Sequence, residues 1–235
     1  MPFLREIGIP VIVSISGEEV SEYAELAENL SLVDGVSGLE VNISCPNVSR
    51  GGMAFGADPE TTSSLVKAVR NSTNLPLIVK LTPNVTSIAE IAIAAEESGA
   101  DALSLINTLP GMAIDIHTKK PKLGNVTGGL SGPAIRPIAL RMVWQVVRAV
   151  SVPVIGMGGI MTAEDALEFM IAGARAIAVG TANFVNPRAA LEIVAGIRDF
   201  MVQNRIRDIN ELVGSLQGSD VAKEGDKAVE GSYCD

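Results

Sequence analysis

Lys80 breaks an otherwise apolar run, Pro76–Thr82 (PLIVKLT). An ammonium is costly to bury unless it is paired. A lysine there points to a site that wants a fixed positive charge. Asn42, Cys45 and Asn47 stand close together where the run GLEVNIS gives way to CPN. Amide side chains both donate and accept hydrogen bonds, so Asn42 and Asn47 suit a polar planar ligand. A thiol at Cys45 serves as a base only as the thiolate, and free cysteine ionises near pH 8.5. Read by itself Cys45 is ambiguous, since a lone cysteine is more often a small buried apolar residue. Asn107 and Thr108 follow a further apolar run. Gly158-Gly159 and Gly180-Thr181 follow the last two. Glycine leaves backbone N–H groups open to close approach by an anion such as phosphate. His117 is the only histidine. Beside Lys119 and Lys120 it reads as a solvated loop residue. No paired carboxylates and no metal-ligand spacing stand out.

These residues need elements that bring them together. Six short apolar runs, rich in Val and Ile, recur at 10–16, 38–44, 76–82, 102–108, 153–159 and 176–182. Near-continuous apolarity predicts parallel strands covered on both faces. Helix-period segments lie between and after them, at about 19–33, 59–71, 87–98, 134–150, 162–172 and 187–204. Asp58-Pro59 and Asn186-Pro187 read as cap-then-proline helix starts. Alternating strands and helices mean an α/β fold, in which sites gather at the carboxyl ends of the strands. All the residues singled out above, except Lys80 within its run and His117, stand at or just after such ends. Two architectures fit: a (β/α)8 barrel and an open doubly wound sheet. No G-x-G-x-x-G follows the first run, which disfavours the dinucleotide-binding open sheet. In barrels the loops after the last two strands often hold phosphate, which suits the two glycine clusters. The loop 109–133 is long enough to cover a barrel mouth. It is expected to carry a hairpin, 112–116 against 122–126. A single barrel domain over 1–215 is expected, followed by a polar, disordered tail over 216–235.

Composition narrows the classes. Of 235 residues, 47% are hydrophobic, so a substantial core is available. The net charge is -9 and aromatics are 3%. Neither a basic footprint nor stacking platforms for nucleic acid are expected. Two cysteines, Cys45 and Cys234, build neither a disulfide framework nor a zinc cage. No apolar run reaches membrane-spanning length. A cytoplasmic protein without membrane contact is expected.

The segments VNISCPNVSRGGMAFG (41–56), LTPNVT (81–86), LINTLPGMAIDIHTKKPKLGNVTGGLSGPAIRPIAL (105–140), VIGMGGI (154–160) and AVGTANF (178–184) resemble class 1 dihydroorotate dehydrogenases. The long loop is most similar to the class 1B catalytic subunit, and the resemblance runs from about Pro2 to Leu212. It implies a (β/α)8 barrel that holds FMN and oxidises (S)-dihydroorotate to orotate in pyrimidine synthesis. By position, Cys45 matches the family's base. Asn42, Asn47, Asn107 and Thr108 match substrate-binding positions, and Asn42 also borders the flavin. Lys80 matches the lysine at the flavin pyrimidine edge. Ile106, Gly132, Gly158, Gly159, Gly180 and Thr181 match FMN-contacting positions. Ser14 stands where the family usually has an FMN-contacting Asn. Family members begin with two strand–loop units that have no counterpart in this sequence, including a substrate-binding lysine. The expectation is a barrel of about six βα units with two open strand edges. Class 1B likeness further implies a homo-oligomer and a partner subunit with FAD and an iron–sulfur cluster that hands electrons to NAD⁺. Two readings remain beside this one: another phosphate-gripping barrel enzyme, and an inactive fragment of the dehydrogenase.

Overall fold

The structure is a computed structural model that describes residues 2–44, 46–47 and 53–218. A short helix, Pro2–Ile7, precedes six βα units. The strands are β1 (Ile12–Ile15), β2 (Gly38–Asn42), β3 (Leu77–Leu81), β4 (Ala102–Leu105), β5 (Val154–Met157) and β6 (Ala176–Ala178). The helices are α1 (Val20–Ser31), α2 (Pro59–Ser72), α3 (Ile88–Glu97), α4 (Arg136–Ala149), α5 (Ala163–Ala172) and α6 (Ala189–Gln203). The strands lie in chain order in one sheet and every neighbouring pair is parallel. This is a curled sheet of six barrel units, a partial (β/α)8 barrel. The described sheet does not close, so β1 and β6 are its edges.

Alternation along the strands separates two faces. Leu39, Val41, Leu77, Val79, Leu81, Leu103 and Leu105 are fully buried against the helices. The other face carries an inward layer set by register: Ser14 opposite Glu40, then Lys80 opposite Ser104, then Ser104 opposite Ile155. The strands are therefore not covered alike on both faces, as continuous apolarity suggested. Helices cover one face, and the concave face holds polar side chains around open space. Its polar members fall at every second position, which the apolar neighbours mask in the sequence.

Local chemistry fixes the helix starts. Asp58 accepts the Thr61 amide at 2.9 Å and Pro59 opens α2, as expected of a cap followed by proline. Ser87 caps α3 through the Glu90 amide. Asn186 departs from expectation. Its side-chain Oδ1 accepts the Arg188 amide at 3.0 Å, as a cap would, but α6 begins only at Ala189. Asn186 instead ends a short preceding helix, Ala182–Val185. The expected polar tail, 216–235, lies from residue 219 onward outside the described residues.

The two open ends of the array are apolar. Phe3, Ile9 and Ile12 are exposed beside β1, and Phe184, Leu191 and Val194 beside β6 and α6. In a closed eight-unit barrel these surfaces would be covered by the units joining the ends.

Gly156 shows how tightly the helix layer meets the sheet. A Cβ there would stand 2.7 Å from Phe169 and 3.2 Å from Ala174. Gly156→Ala is expected to destabilise the fold by about 1–3 kcal/mol through overpacking. A lowered urea midpoint with an unchanged slope would register it.

Candidate active site at the carboxyl ends of the strands

Two cavities open where β2 to β6 end. The first, of about 360 Å³, is lined by Glu40, Lys80, Ile106, Gly132, Gly158, Gly159, Gly180 and Thr181, among others. The second, of about 380 Å³, is lined by Asn42, Ser44, Asn84, Asn107 and Thr108, with Pro110, Thr127, Gly128 and Gly129 above. Asn107 and Thr108 border both.

The first cavity has a charged floor and an amide-rich wall. Lys80 Nζ lies 3.5 Å from Glu40 Oε2. Ser104 Oγ donates to Glu40 Oε1 at 2.8 Å. Gly158 and Gly159 have φ of 125° and 76°, a conformation that costs other residues. A Cβ on Gly159 would meet Gly132 O at 2.7 Å and Arg136 N at 2.9 Å. Conformation and packing against the chain itself demand these two glycines. Gly132 shares the positive φ, at 88°, but a Cβ on it or on Gly180 would meet nothing within 4 Å, so the space beside both is open. Among the described residues, the amides of Gly158, Gly159, Gly180 and Thr181 donate to no protein acceptor. Unmade backbone bonds at a cavity wall suit an anion. Thr181 Oγ1 donates to Ser131 Oγ at 2.8 Å across the opening.

Arg136 braces this wall from outside. It pairs with Asp165, a buried carboxylate that also accepts the amides of Met161 at 2.8 Å and Thr162 at 3.0 Å. The loop after β5 is thereby tied to the start of α5 and to α4.

The second cavity is a network of amides. Asn107 Nδ2 donates to Asn42 Oδ1 at 3.1 Å and to Ser44 Oγ at 2.8 Å. Its own Oδ1 accepts the Thr108 amide at 2.8 Å. Asn84 Nδ2 donates to Thr82 Oγ1 at 3.0 Å and to Thr108 O at 3.2 Å, joining the ends of β3 and β4. Tyr23 OH donates to Asn42 O at 2.8 Å and its ring packs edge-on against Phe55, so α1 holds the end of β2 in place.

A lid covers this cavity. Leu109–Met112 pairs antiparallel with Thr127–Leu130, and Ile114–Asp115 pairs with Lys120–Pro121. The hairpin is longer than expected and its pairing starts nearer the barrel. The 112–116 against 122–126 pairing is replaced by these two ladders. Gly129 is required here: a Cβ would come 2.4 Å from Thr108 Oγ1, so the lid rests on the β4 end. His117 is exposed at the tip.

Of the residues expected at the site, Lys80, Ile106, Gly132, Gly158, Gly159, Gly180 and Thr181 meet around the first cavity. Asn42 lines the second, and Asn107 and Thr108 line both. Ser14 lines neither; it is exposed on edge strand β1, in register with Glu40. Cys45 lies outside the described residues, and of Asn47 only the backbone, paired with Met53, is described. Sequence reasoning missed Glu40, Ser44, Asn84 and Ser131. Glu40 precedes Asn42 by two, a spacing that puts both on one face of a strand. Asn84 follows β3 by three residues.

The lid tip carries a titratable anchor. The Thr118 and His117 amides each donate to Asp115 Oδ1 at 2.9 Å. They hold its carboxyl below the ordinary value of 3.8. A depressed folded-state value contributes stability above the unfolded value, and that contribution fades as pH falls through the folded one. The His117 and Thr118 amide resonances are therefore expected to shift only at pH below the ordinary carboxylate range. Asp115→Asn should remove that acid transition; an NMR titration reads both.

Comparison with known proteins completes the picture. Residues 3–201 match the dihydroorotate dehydrogenase family. Over 215 residues the chain is 61% identical to the dihydroorotate dehydrogenase B (NAD(+)) catalytic subunit of Desulforamulus reducens, covering 92% of this chain and 71% of that protein. It is 59% identical over 217 residues to the same subunit of Geotalea daltonii, with the same shares covered. The identically named subunit of Geobacter sulfurreducens is also 59% identical over 217 residues. With a matching profile over most of its length and relatives this similar, the chain belongs to the dihydroorotate dehydrogenase family, a family of oxidoreductases.

Proposed function

We propose that this chain is the FMN-holding catalytic barrel of an NAD⁺-linked dihydroorotate dehydrogenase, acting on dihydroorotate in pyrimidine biosynthesis. The observation that carries the reading is the junction of two cavities at Asn107 and Thr108. One has a lysine and unpartnered amides suited to a phosphate-bearing flavin. The other has amides suited to a planar, polar ring.

The residues fit FMN on structural grounds. Gly180 and Gly132 leave open space beside their backbone, and four wall amides have no protein acceptor among the described residues. Gly158, Gly159, Gly180 and Thr181 would hold the phosphate. Lys80 would face the pyrimidine edge, and Ile106 would contact the ring. When bound, FMN supplies the acceptor for a hydride from C6 of dihydroorotate. Asn42, Asn107 and Thr108 would orient the substrate through the network that already fixes their side chains. Cys45 follows Ser44, a residue of the second cavity, and would take the proton from C5. The lid would exclude water, its Gly129 seated on Thr108. A partner subunit bearing FAD and an iron–sulfur cluster would carry electrons onward to NAD⁺, as the NAD(+) in the relatives' names suggests. Assembly as a homo-oligomer is part of the same proposal, as is a single domain over 1–215 with location in the cytoplasm. No described helix is long and apolar enough to cross a membrane.

Gly180 offers a clean test of the phosphate wall. A Cβ there would meet nothing within 4 Å, so Gly180→Val should fold normally while its methyls occupy the cavity. FMN retention is expected to fall at least tenfold, read by equilibrium dialysis. Unchanged retention would remove Gly180 from the wall.

Turnover tests the reaction itself. FMN-loaded protein mixed anaerobically with dihydroorotate should bleach at flavin wavelengths. The rate should climb with pH until the thiol is ionised, since an ordinary cysteine is only a few per cent thiolate at pH 7. Cys45→Ser should slow bleaching by roughly 10²–10⁴-fold, the usual worth of a positioned base, and flatten the pH profile. Orotate affinity should change little. Equal rates in both proteins would exclude Cys45 as the base.

A further inference from the structure

Among the described residues, Glu40 is the one carboxylate in the lining of the first cavity, and no step above uses it. Its side chain is 16% exposed and that of Lys80 24%. Neither is a freely solvated surface charge. Register places Glu40 on β2 opposite Ile78 and Ser104 on β4 opposite Lys80, so the three polar residues span three adjacent strands of the concave face. The Ser104 hydroxyl, fully buried, donates to Oε1 and leaves Oε2 turned to the ammonium at 3.5 Å. Ser104 thus fixes which oxygen faces Lys80.

We propose that Glu40 is a tuning residue: a fixed counter-charge that limits how strongly Lys80 stabilises the reduced, anionic form of the bound flavin. The inference rests on the flavin reading above. A positive charge beside the ring favours electron uptake, because negative charge develops there. A carboxylate held against that charge offsets part of it, more so in a partly dried cavity than in water. Glu40 therefore keeps the flavin potential lower than Lys80 alone would set it. A lower potential favours onward transfer to an acceptor as weak as a nicotinamide.

The test is the flavin midpoint potential, measured by dye equilibration on the full chain, with Kd for oxidised FMN measured in parallel. Glu40→Gln keeps the shape and an oxygen to accept from Ser104 while removing the charge. The reduced-to-oxidised ratio at fixed potential should rise about tenfold, ~30 mV for a two-electron couple. Should that variant not fold, Glu40→Met removes the same charge on an adaptable stem and carries the same expected sign. Lys80→Met should move the potential the opposite way. A lowered potential in Lys80→Met with no change, or a fall, in Glu40→Gln would overturn the inference and leave the flavin reading standing. No change in Lys80→Met would take Lys80 away from the flavin edge and overturn the inference, whereas no flavin bound by any form of the chain would overturn the flavin reading itself.

Discussion

A lysine can stand inside a sheet only where its charge is met, and in this fold the register of three strands meets it. Parallel pairing sets Lys80 beside Ser104 and Asn42, while Glu40 reaches across from two residues earlier on β2. A slip of one residue between β2 and β3 would turn one polar set into the helix layer. There it would find fully buried leucines and valines rather than partners. The apolar packing of the helix face and the polar order of the concave face therefore enforce the same register. The core and the site are two faces of one constraint.

The strand ends extend that constraint outward. Because β4 ends beside β3, with β2 next along the sheet, Asn107 reaches across to both Asn42 and Ser44, and Asn84 reaches the carbonyl of Thr108. Few side chains here are free to choose a position, since each amide is held by another before any ligand arrives. Such preorganisation matters because orienting groups act best when little reordering is needed on binding. The glycines divide the labour. Gly158 and Gly159 give the backbone a turn that a Cβ would prevent, and Gly180 and Gly132 leave room beside it.

The strands and helices were legible because each repeats a local signal several times: a Val/Ile run, an apolar helical face, a cap. All six strands fall inside the expected runs. What escaped were features decided by partners distant in sequence. Asn186 carries a cap signal and its side-chain Oδ1 does accept the Arg188 amide, but the helix waits for Ala189 because a short helix ends at Val185 just before it. The hairpin register depends on Gly129 meeting Thr108, a contact invisible to periodicity. Glu40 and Asn84 went unread because a carboxylate or an amide near a strand is common, and only the third dimension shows which ones face a cavity. Lys80 stood out because its surroundings were wholly apolar. The family likeness brought Ile106 and Gly132 into view, which spacing alone did not.

The lid links the two halves of the site. Its strands begin at Leu109, directly after Thr108, and end at Leu130, directly before Ser131. The same segment thus leaves from the amide cavity and returns to the flavin-sized one, where Ser131 accepts from Thr181. Any movement of the lid must shift Thr108 at one end or Ser131 at the other. Arg136, one short turn beyond Ser131, is tied to Asp165, which in turn holds the loop after β5. Closure over the amide cavity and the shape of the glycine wall are therefore mechanically joined. The covalent path from Asn107 to Arg136 is joined to the ends of β2 and β3 by hydrogen bonds from Asn107 and Asn84, to the end of β6 through Ser131, and to the loop after β5 through Asp165.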